Sequence, residues 1–348
     1  MIRVLLLSSF AGSSRYIASL LPLLKKSASV FLVAEGVGAD IFCKDSVNVD
    51  CVVEADKKSI SDVFDQFSPD VIFVVPQFGG SIEELAIEEA KKRGIYCIAG
   101  IDHWSLYKER FSRTDSDGNI LDDGFEFIPD KILVNDEIAY RDAIDAGIPD
   151  SCLSIVGNPV LESRWKGSLA EFSSAQLGNK NQSNKKIILF ISEPYSERVS
   201  IKNKHYPGFS EIDVLEDILS SMPNNSELWI KSHPAETIEK FTPYIKQNDN
   251  CKLCINEAID NVLLGADKII GMGSMLLLEV ALIREAVISY RPSEQQTFIG
   301  NRLGVTEKII NKKNLPKTLR SDSPFRKKPF DHNYSGATEK IIACIMSF

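Results

Sequence analysis

Strand-like and helix-like segments alternate along this 348-residue chain. Short apolar runs rich in Val, Ile and Leu are followed by segments whose apolar residues recur at helical spacing. The runs predicted as strands are residues 2–8, 29–34, 50–53, 70–75, 95–99, 131–135 and 153–156 in the first half, and 186–191, 226–231, 251–255, 267–271 and 286–290 in the second. This alternation is typical of α/β domains built on parallel sheets. We therefore predict an α/β protein with two doubly wound domains.

A polar segment divides the chain nearly in half. Residues 166–185 are rich in Gly, Asn, Lys and Gln without apolar periodicity, which predicts an interdomain linker. The predicted domains are residues 1–165 and 186–330, each long enough to bury its own core. Residues 331–348 include an apolar face at helical spacing and are predicted to form a closing helix.

Composition excludes several classes of protein. The net charge of −8 and the pI near 5.3 argue against a protein that tracks nucleic-acid phosphates. No apolar run approaches the roughly 20 residues that span a bilayer, although peripheral association with a membrane is left open. Seven scattered cysteines fit reduced thiols in the cytoplasm, and Cys251-Lys252-Leu253-Cys254 lacks the second pair or histidine of a metal site. We expect a cytoplasmic protein without metal or cofactor.

The first motif of interest follows a predicted strand of the second half. Lys231 is followed by Ser232, His233 and Pro234, and proline suits the first turn of a helix. The motif predicts a lysine and a histidine at a helix start. The alternative for His233 is a helix-capping or buried hydrogen-bonding residue.

The second motif follows the strand predicted at 267–271. It reads Gly271-Met272-Gly273-Ser274 and opens an apolar helical segment that carries one carboxylate, Glu279. Glycines let a ligand approach the backbone, and free amides at a helix start favour anions. The alternative for Glu279 is an ion pair with Arg284 or Arg291.

Both motifs lie at the carboxyl ends of predicted parallel strands, the edge at which nucleotides bind in such sheets. A lysine, a histidine and a glycine-serine helix start can cradle phosphates, and a carboxylate one turn later can accept ribose hydroxyls. The two motifs together predict a nucleotide-sugar site.

These motifs resemble the carboxy-terminal domain of GT-B-fold glycosyltransferases and of their relatives, the UDP-N-acetylglucosamine 2-epimerases. The resemblance covers residues 226–296, and Gly157-Asn158-Pro159 is similar to the end of the amino-terminal domain. It implies two Rossmann-like domains that face a central cleft. It also implies that His233 contacts the donor phosphate, that Ser274 adds a hydroxyl and an amide, and that Glu279 binds the ribose.

The His-Pro element followed by a serine loop is similar to motifs of bacterial sialyltransferases and Kdo transferases, which use CMP-sugars. The resemblance therefore implies a metal-independent glycosyltransferase, with a CMP-sugar favoured over a UDP-sugar as donor. The implied acceptor is a saccharide or glycolipid of a surface polysaccharide such as lipopolysaccharide or capsule. A UDP-sugar 2-epimerase or hydrolase of the same fold and a non-catalytic sugar-nucleotide-binding module are the alternatives.

Two acidic segments of the first half are candidates for the catalytic base. Asp102 and His103 follow the strand predicted at 95–99 and precede Trp104, which offers a face for sugar stacking. The alternative for this segment is a loop histidine and a core tryptophan. Asp122 and Asp123 resemble the acidic motif of bacterial sialyltransferases and are the second candidates.

Further residues beside predicted strand ends are candidates for lining the cleft. They are Gly12, Ser13, Arg15, Gly80, Glu193 and Arg198. Neither the G-x-G-x-x-G fingerprint nor a P-loop motif is present, which disfavours dinucleotide and P-loop chemistry.

Overall fold

The structure is a computed structural model. It describes residues 1–77, 81–114, 119–121, 125–164, 185–198, 206–234, 236–255, 257–284, 286–293, 297–321 and 334–348. The chain forms two compact units, one of Met1–Ser163 with His332–Phe348 and one of Arg164–Asp331. The segment predicted as a linker lies outside the described residues except for Lys185.

The first unit is built on a parallel sheet of seven strands. They are β1 (Arg3–Ser8), β2 (Ser29–Ala34), β3 (Cys51–Val52), β4 (Val71–Val74), β5 (Tyr96–Gly100), β6 (Lys131–Val134) and β7 (Leu153–Ile155). Their order across the sheet is β3-β2-β1-β4-β5-β6-β7. The register pairs Arg3 with Ser29 on one side of β1 and Val4 with Val71 on the other.

The helices of the first unit connect these strands. They are α1 (Ala11–Leu24), α2 (Gly36–Lys44), α3 (Lys57–Phe67), α4 (Ile82–Arg93) and α5 (Glu137–Asp145), with 3-10 turns at Glu109–Phe111 and Asp150–Cys152. Residues 159–164 are also helical. The predicted helix over 14–26 begins three residues earlier, at Ala11, so that Gly12 lies in its first turn.

The second unit is built on a parallel sheet of six strands. They are β8 (Lys186–Ile191), β9 (Ser226–Lys231), β10 (Cys251–Leu253), β11 (Lys268–Gly271), β12 (Val287–Tyr290) and β13 (Glu307–Ile309). Their order is β10-β9-β8-β11-β12-β13. The strand β13 was not predicted, because three residues with one buried side chain carry no apolar run.

The helices of the second unit follow the same alternation. They are α6 (Tyr195–Arg198), α7 (Glu211–Ser221), α8 (Thr242–Gln247), α9 (Ile259–Gly265), α10 (Met275–Ile283), α11 (Ile299–Arg302) and α12 (Leu315–Arg320), with 3-10 turns at Ile238–Phe241 and Lys312–Asn314. The last helix, α13 (Ala337–Met346), belongs to the first unit.

The apolar runs form strands because these parallel sheets are buried on both faces, which favours continuous apolar sequence over alternation. All four residues of β4 are buried, as are all four of β12. Helix α13 places Ile341 and Ile345 in the core that also contains Tyr16 of α1. The prediction of two doubly wound α/β domains is confirmed.

Candidate functional site

Each sheet reverses its strand order at one point. In the second unit the chain passes from β8 to β9 on one side, whereas β11 adds on the other side of β8. Ligands of open α/β sheets bind outside the carboxyl ends of the strands at such a switch point. The loops after β8 and β11 therefore lie where a nucleotide is expected to bind. In the first unit the same point lies between β1 and β4.

The loop after β11 carries the glycine-serine motif. Ser274 is the N-cap of α10, and its hydroxyl accepts a hydrogen bond from the amide of Leu277 at 3.2 Å. The amide of Gly273 donates to Oε1 of Glu193 at 2.6 Å, and the Ser274 amide also faces this carboxylate. The amides that we expected to meet a phosphate thus meet a carboxylate of the same chain.

Glu193 is an unusual neighbour for a helix start, because only 8% of it is exposed. Burial raises the pKa of its carboxyl, and the amide of Gly273 and the charge of Arg291 partly oppose that rise. The sequence placed Glu193 among residues that could line a ligand site, but it did not indicate the contact with Gly273.

Arg291 follows β12 and lies above the same loop. It is 8% exposed, its Nη1 donates to the Tyr195 hydroxyl at 3.3 Å, and its guanidinium lies 5.5 Å from the ring centre of Phe209. A Cβ atom at position 273 would lie 2.6 Å from Nη1, so a side chain there would require the guanidinium to shift. Arg291 was weighed from the sequence only as a partner for Glu279.

The His233-Pro234 segment is a turn, so the predicted helix start at this position is wrong. Helical structure begins four residues later, in the 3-10 turn at Ile238. The carboxylate of Glu236 accepts the amide of His233 and the hydroxyl of Ser192, which ties the turn to the end of β8. The segment closes as a turn, with the Glu236 amide donating to the carbonyl oxygen of His233, and the helix starts further on.

The lysine and the carboxylate of the predicted nucleotide site have partners within the second unit. Lys231 is half-buried, and its ammonium group lies 3.5 Å from the carbonyl oxygen of Cys254. Glu279 lies in α10, and its Oε2 is 3.3 Å from Nε of Arg164. Arg284, one of the two partners expected for Glu279, instead donates to the carbonyl oxygens at the end of α9.

Asp102 lies just after β5 in the first unit. Its Oδ1 lies 3.1 Å from Nη1 of Arg110 and accepts the Gln77 amide at 3.2 Å. A Cβ atom on Gly12 would come within 2.5 Å of its other oxygen. The carboxylate therefore lies against the first turn of α1, near the switch point of this sheet. Arg110, which is almost fully buried, is a partner that the sequence did not indicate.

His103 is half-buried, and its Nδ1 forms a hydrogen bond with Ser105 at 2.9 Å. Desolvation lowers the pKa of the imidazole, and the charges of Asp102 and Arg110 act on it in opposite directions. Burial therefore favours the neutral imidazole, which can accept or donate a proton.

The sugar-stacking role offered for Trp104 is wrong, because its ring is buried. Only 6% of the residue is exposed, and the indole N–H donates to both oxygens of Asp136, at 3.0 and 2.9 Å. Tyr334 packs edge-on against the indole and donates to the same carboxylate. Trp104 is therefore a core residue, as the alternative interpretation of this segment predicts.

The other candidates of the first unit divide into three groups. Ser13 is buried and shares a hydrogen bond with Ser8, whereas Arg15 is exposed on α1. Gly80, Asp122 and Asp123 lie outside the described residues. In the second unit, Arg198 ends the short helix α6.

A buried carboxylate of the first unit was also missed. Glu83 is fully buried and accepts the amide of Ser9 at 2.8 Å and its hydroxyl at 2.6 Å. Its sequence context, in the acidic first turn of α4, is that of an ordinary exposed helix start.

Neither metal binding nor membrane crossing finds support in the described part of the chain. No group of three or more His, Cys, Asp and Glu side chains there is arranged to hold a metal ion. No helix among those residues has the length and apolar character to cross a bilayer. Cys251 and Cys254 are buried free thiols, and burial raises the pKa of Cys251 to about 11.

Solved structures with the same architecture match this chain from end to end. The UDP-GlcNAc 2-epimerase of Methanocaldococcus jannaschii matches with a TM-score of 0.65 and 14% identity, over 100% of this chain and 99% of that chain. The chain has the GT-B-like fold. Staphylococcus aureus MnaA, solved with UDP, matches with a TM-score of 0.68 and 11% identity, over 99% of this chain and 96% of that chain.

Acinetobacter baumannii MurG has the same GT-B-like architecture. It matches with a TM-score of 0.57 and 12% identity, over the full length of both chains. No family model matches this chain, and no curated protein matches it. The predicted fold is thus confirmed at low sequence identity.

Proposed function

We propose that this GT-B-like protein is an enzyme that converts a UDP-sugar in a reaction of the 2-epimerase or hydrolase type. The observation that carries the proposal is the match of the whole chain to UDP-GlcNAc 2-epimerases, one of them solved with UDP-GlcNAc and UDP. In this chain the glycine-serine loop and Glu279 lie at the switch point of the second sheet, which supports nucleotide binding there.

UDP replaces CMP as the preferred nucleotide of the proposal. The His-Pro element alone favoured CMP, whereas structures that match the full chain were solved with UDP or UDP-GlcNAc. We assign the phosphates and the ribose to Lys231, His233, Ser274 and Glu279.

We assign proton transfer to Asp102 and His103 of the first unit. A 2-epimerase must remove the proton from sugar C2 and return one to the opposite face, and a hydrolase must activate water. Asp102 offers a carboxylate held by Arg110 and Gln77, and His103 offers a neutral imidazole beside it. These two groups supply the acid and base functions that either reaction needs.

Glycosyl transfer to a saccharide or glycolipid is the second candidate. The full-length match to MurG, a glycosyltransferase, supports it. In that reaction Asp102 would take the proton of the acceptor hydroxyl.

Incubation with sugar nucleotides distinguishes these reactions. Purified protein is mixed with UDP-GlcNAc or with a CMP-sugar, without and with saccharide acceptors, and followed by proton and phosphorus NMR. We expect conversion of the UDP-sugar in the absence of acceptor. Turnover that depends on an acceptor would favour transfer, and UDP binding without any turnover would favour a binding module.

Variants of the assigned residues separate binding from chemistry. His233→Ala is expected to weaken UDP binding about tenfold, the worth of one hydrogen bond to a charged group. Asp102→Asn is expected to keep UDP affinity and to lower turnover at least about 100-fold. Asp62→Asn, at an exposed position of α3, is the matched control and should change neither quantity.

A further inference from the structure

The guanidinium of Arg291 is buried with most of its donors unused. Within the part of the chain that the structure describes, it makes one hydrogen bond, from Nη1 to Tyr195, and Nε has no partner. No carboxylate of the described residues lies within ion-pair distance of it. A buried arginine normally uses its five donors on carboxylates, carbonyls or phosphates.

Such a group costs free energy in the unliganded protein. Its Nε is buried without an acceptor among the described residues, and leaving a buried donor unpaired is unfavourable. Arg284 of the same unit has acceptors for its donors, because its two terminal nitrogens donate to the carbonyl oxygens of Leu263 and Ala266. The difference between these two arginines calls for an acceptor at Arg291 that the described residues do not supply.

The position of Arg291 indicates what that acceptor is. Its Nη1 lies over Gly273, in the loop that opens the nine-residue helix α10 at the switch point of the sheet. The amides of this loop already meet the carboxylate of Glu193, whereas the guanidinium still has free donors, and its planar set of donors matches the paired oxygens of a phosphate.

We propose that Arg291 is a phosphate-binding residue of the second unit, donating from Nε and its terminal nitrogens to a phosphate of the nucleotide over Gly273. The assignment rests on the proposed nucleotide site and adds a binding residue to it. It also fits the glycine at position 273, because a side chain there would displace the guanidinium.

Glu193 sets the strength of this site. Its carboxylate holds the amides of Gly273 and Ser274, so a bound phosphate brings a second negative charge to the same loop. The charges repel, and the attraction of Arg291 for both is what makes their coexistence favourable. Replacing Glu193 by the uncharged glutamine removes the repulsion and leaves an oxygen that accepts the Gly273 amide.

The test compares the same substitution at the buried Arg291 and at Arg284, which is half-buried. Arg291→Lys and Arg284→Lys keep the charge and remove the planar set of donors. Calorimetry of the full chain measures affinity for UDP, for pyrophosphate and for uridine, and circular dichroism confirms that each variant folds.

We expect Arg291→Lys to bind UDP and pyrophosphate about 10- to 100-fold more weakly, as the loss of one or two charge-assisted hydrogen bonds predicts. Uridine affinity of the same variant stays unchanged. Arg284→Lys keeps wild-type affinity for all three ligands. Glu193→Gln binds UDP several-fold more tightly.

Wild-type UDP affinity in Arg291→Lys overturns the assignment, and so does an equal loss for UDP and uridine, which indicates a structural role. If Arg291→Lys does not fold, Arg291→Gln is measured in its place, with the same expectation. Absence of UDP and pyrophosphate binding in the wild-type protein overturns it as well. UDP binding that depends on Arg291 without sugar turnover supports this assignment and contradicts the proposed function, so the two are tested separately.

Discussion

At the scale of single residues, buried carboxylates organise the loops at both switch points. Glu193 holds the loop after β11, and Glu83 holds the turn between β1 and α1 through the amide and hydroxyl of Ser9. Burial raises the pKa of the Glu83 carboxyl above the 4.5 of an ordinary glutamate. The fold therefore holds this carboxyl in an environment that favours its protonated form.

The stability of the first unit is expected to depend on pH through Glu83. Its folded pKa is higher than its unfolded pKa, so its contribution is fully present below about pH 4.5 and is lost as the pH rises through the folded value. The Glu83→Gln variant has no ionisable carboxyl at this position, so its stability does not fall in this way as the pH rises. We expect the variant to gain stability relative to wild type as the pH rises from 4 to 8, measured by denaturant-dependent hydrogen exchange of β1.

The control for this prediction is Glu89→Gln on the same helix. Ion pairs with Arg93 lower the pKa of Glu89, so this side chain is already ionised from pH 5 upward. The difference in unfolding free energy between Glu89→Gln and wild type should therefore be constant between pH 5 and pH 8. If the difference in unfolding free energy between Glu83→Gln and wild type stayed constant from pH 4 to pH 8, it would contradict the raised pKa of Glu83.

At the scale of elements, residues that cap helix starts form hydrogen bonds within their own helix or with distant segments of the chain. Asp136 is the N-cap of α5 and also accepts the Trp104 indole and the Tyr334 hydroxyl. Asp56 is the N-cap of α3 and accepts hydrogen bonds from the neighbouring residues at positions 58 and 59. One cap therefore connects three segments, and the other stabilises one helix.

Substitution of the two caps by alanine should separate these roles. Asp56→Ala is expected to lower the free energy of unfolding only by the small amount typical of an exposed cap. Asp136→Ala is expected to cost about 3 kcal/mol or more, because two buried donors also lose their acceptor. Denaturant titration of each variant provides the values, and equal costs would show that the long-range bonds contribute nothing.

The elements also show what the sequence could predict. Buried strands such as β4 are apolar throughout, so their positions follow from composition within one or two residues. The contact of Glu236 with Ser192, which ties the turn at His233 to the end of β8, joins residues 44 positions apart and could not be predicted from the local sequence. The candidate site residues divide in the same way. Asp102 and Gly273 were predicted because they follow strands, whereas the positions of Arg110 and Arg291 beside them depend on packing that the local sequence does not indicate.

At the scale of the whole molecule, the two units repeat one strand order and differ in how the chain completes them. The first six strands of each sheet follow the order 3-2-1-4-5-6 in their own numbering. Only the first unit contains a segment from the far end of the chain, which includes α13. That segment supplies Ile341 and Ile345 to the core, and the amides of Gly336 and Thr338 to Glu162.

Removal of residues 334–348 is expected to destabilise the first unit selectively. The truncated chain loses the buried side of α13 and the Tyr334 contact with Asp136. Hydrogen exchange should accelerate in α1, which packs against α13, and stay unchanged in β8 and β11. Equal acceleration in both units would contradict independent cores.

The return of the chain to the first unit also has a consequence for biosynthesis. Domains usually fold in the order in which the ribosome releases them. Here residues 164–331 emerge complete before α13 does, so the second unit can reach its native state while the first still lacks part of its core. A nascent chain paused before residue 334 exposes the apolar residues that α13 covers, and it is in this interval that a chaperone has a surface to bind.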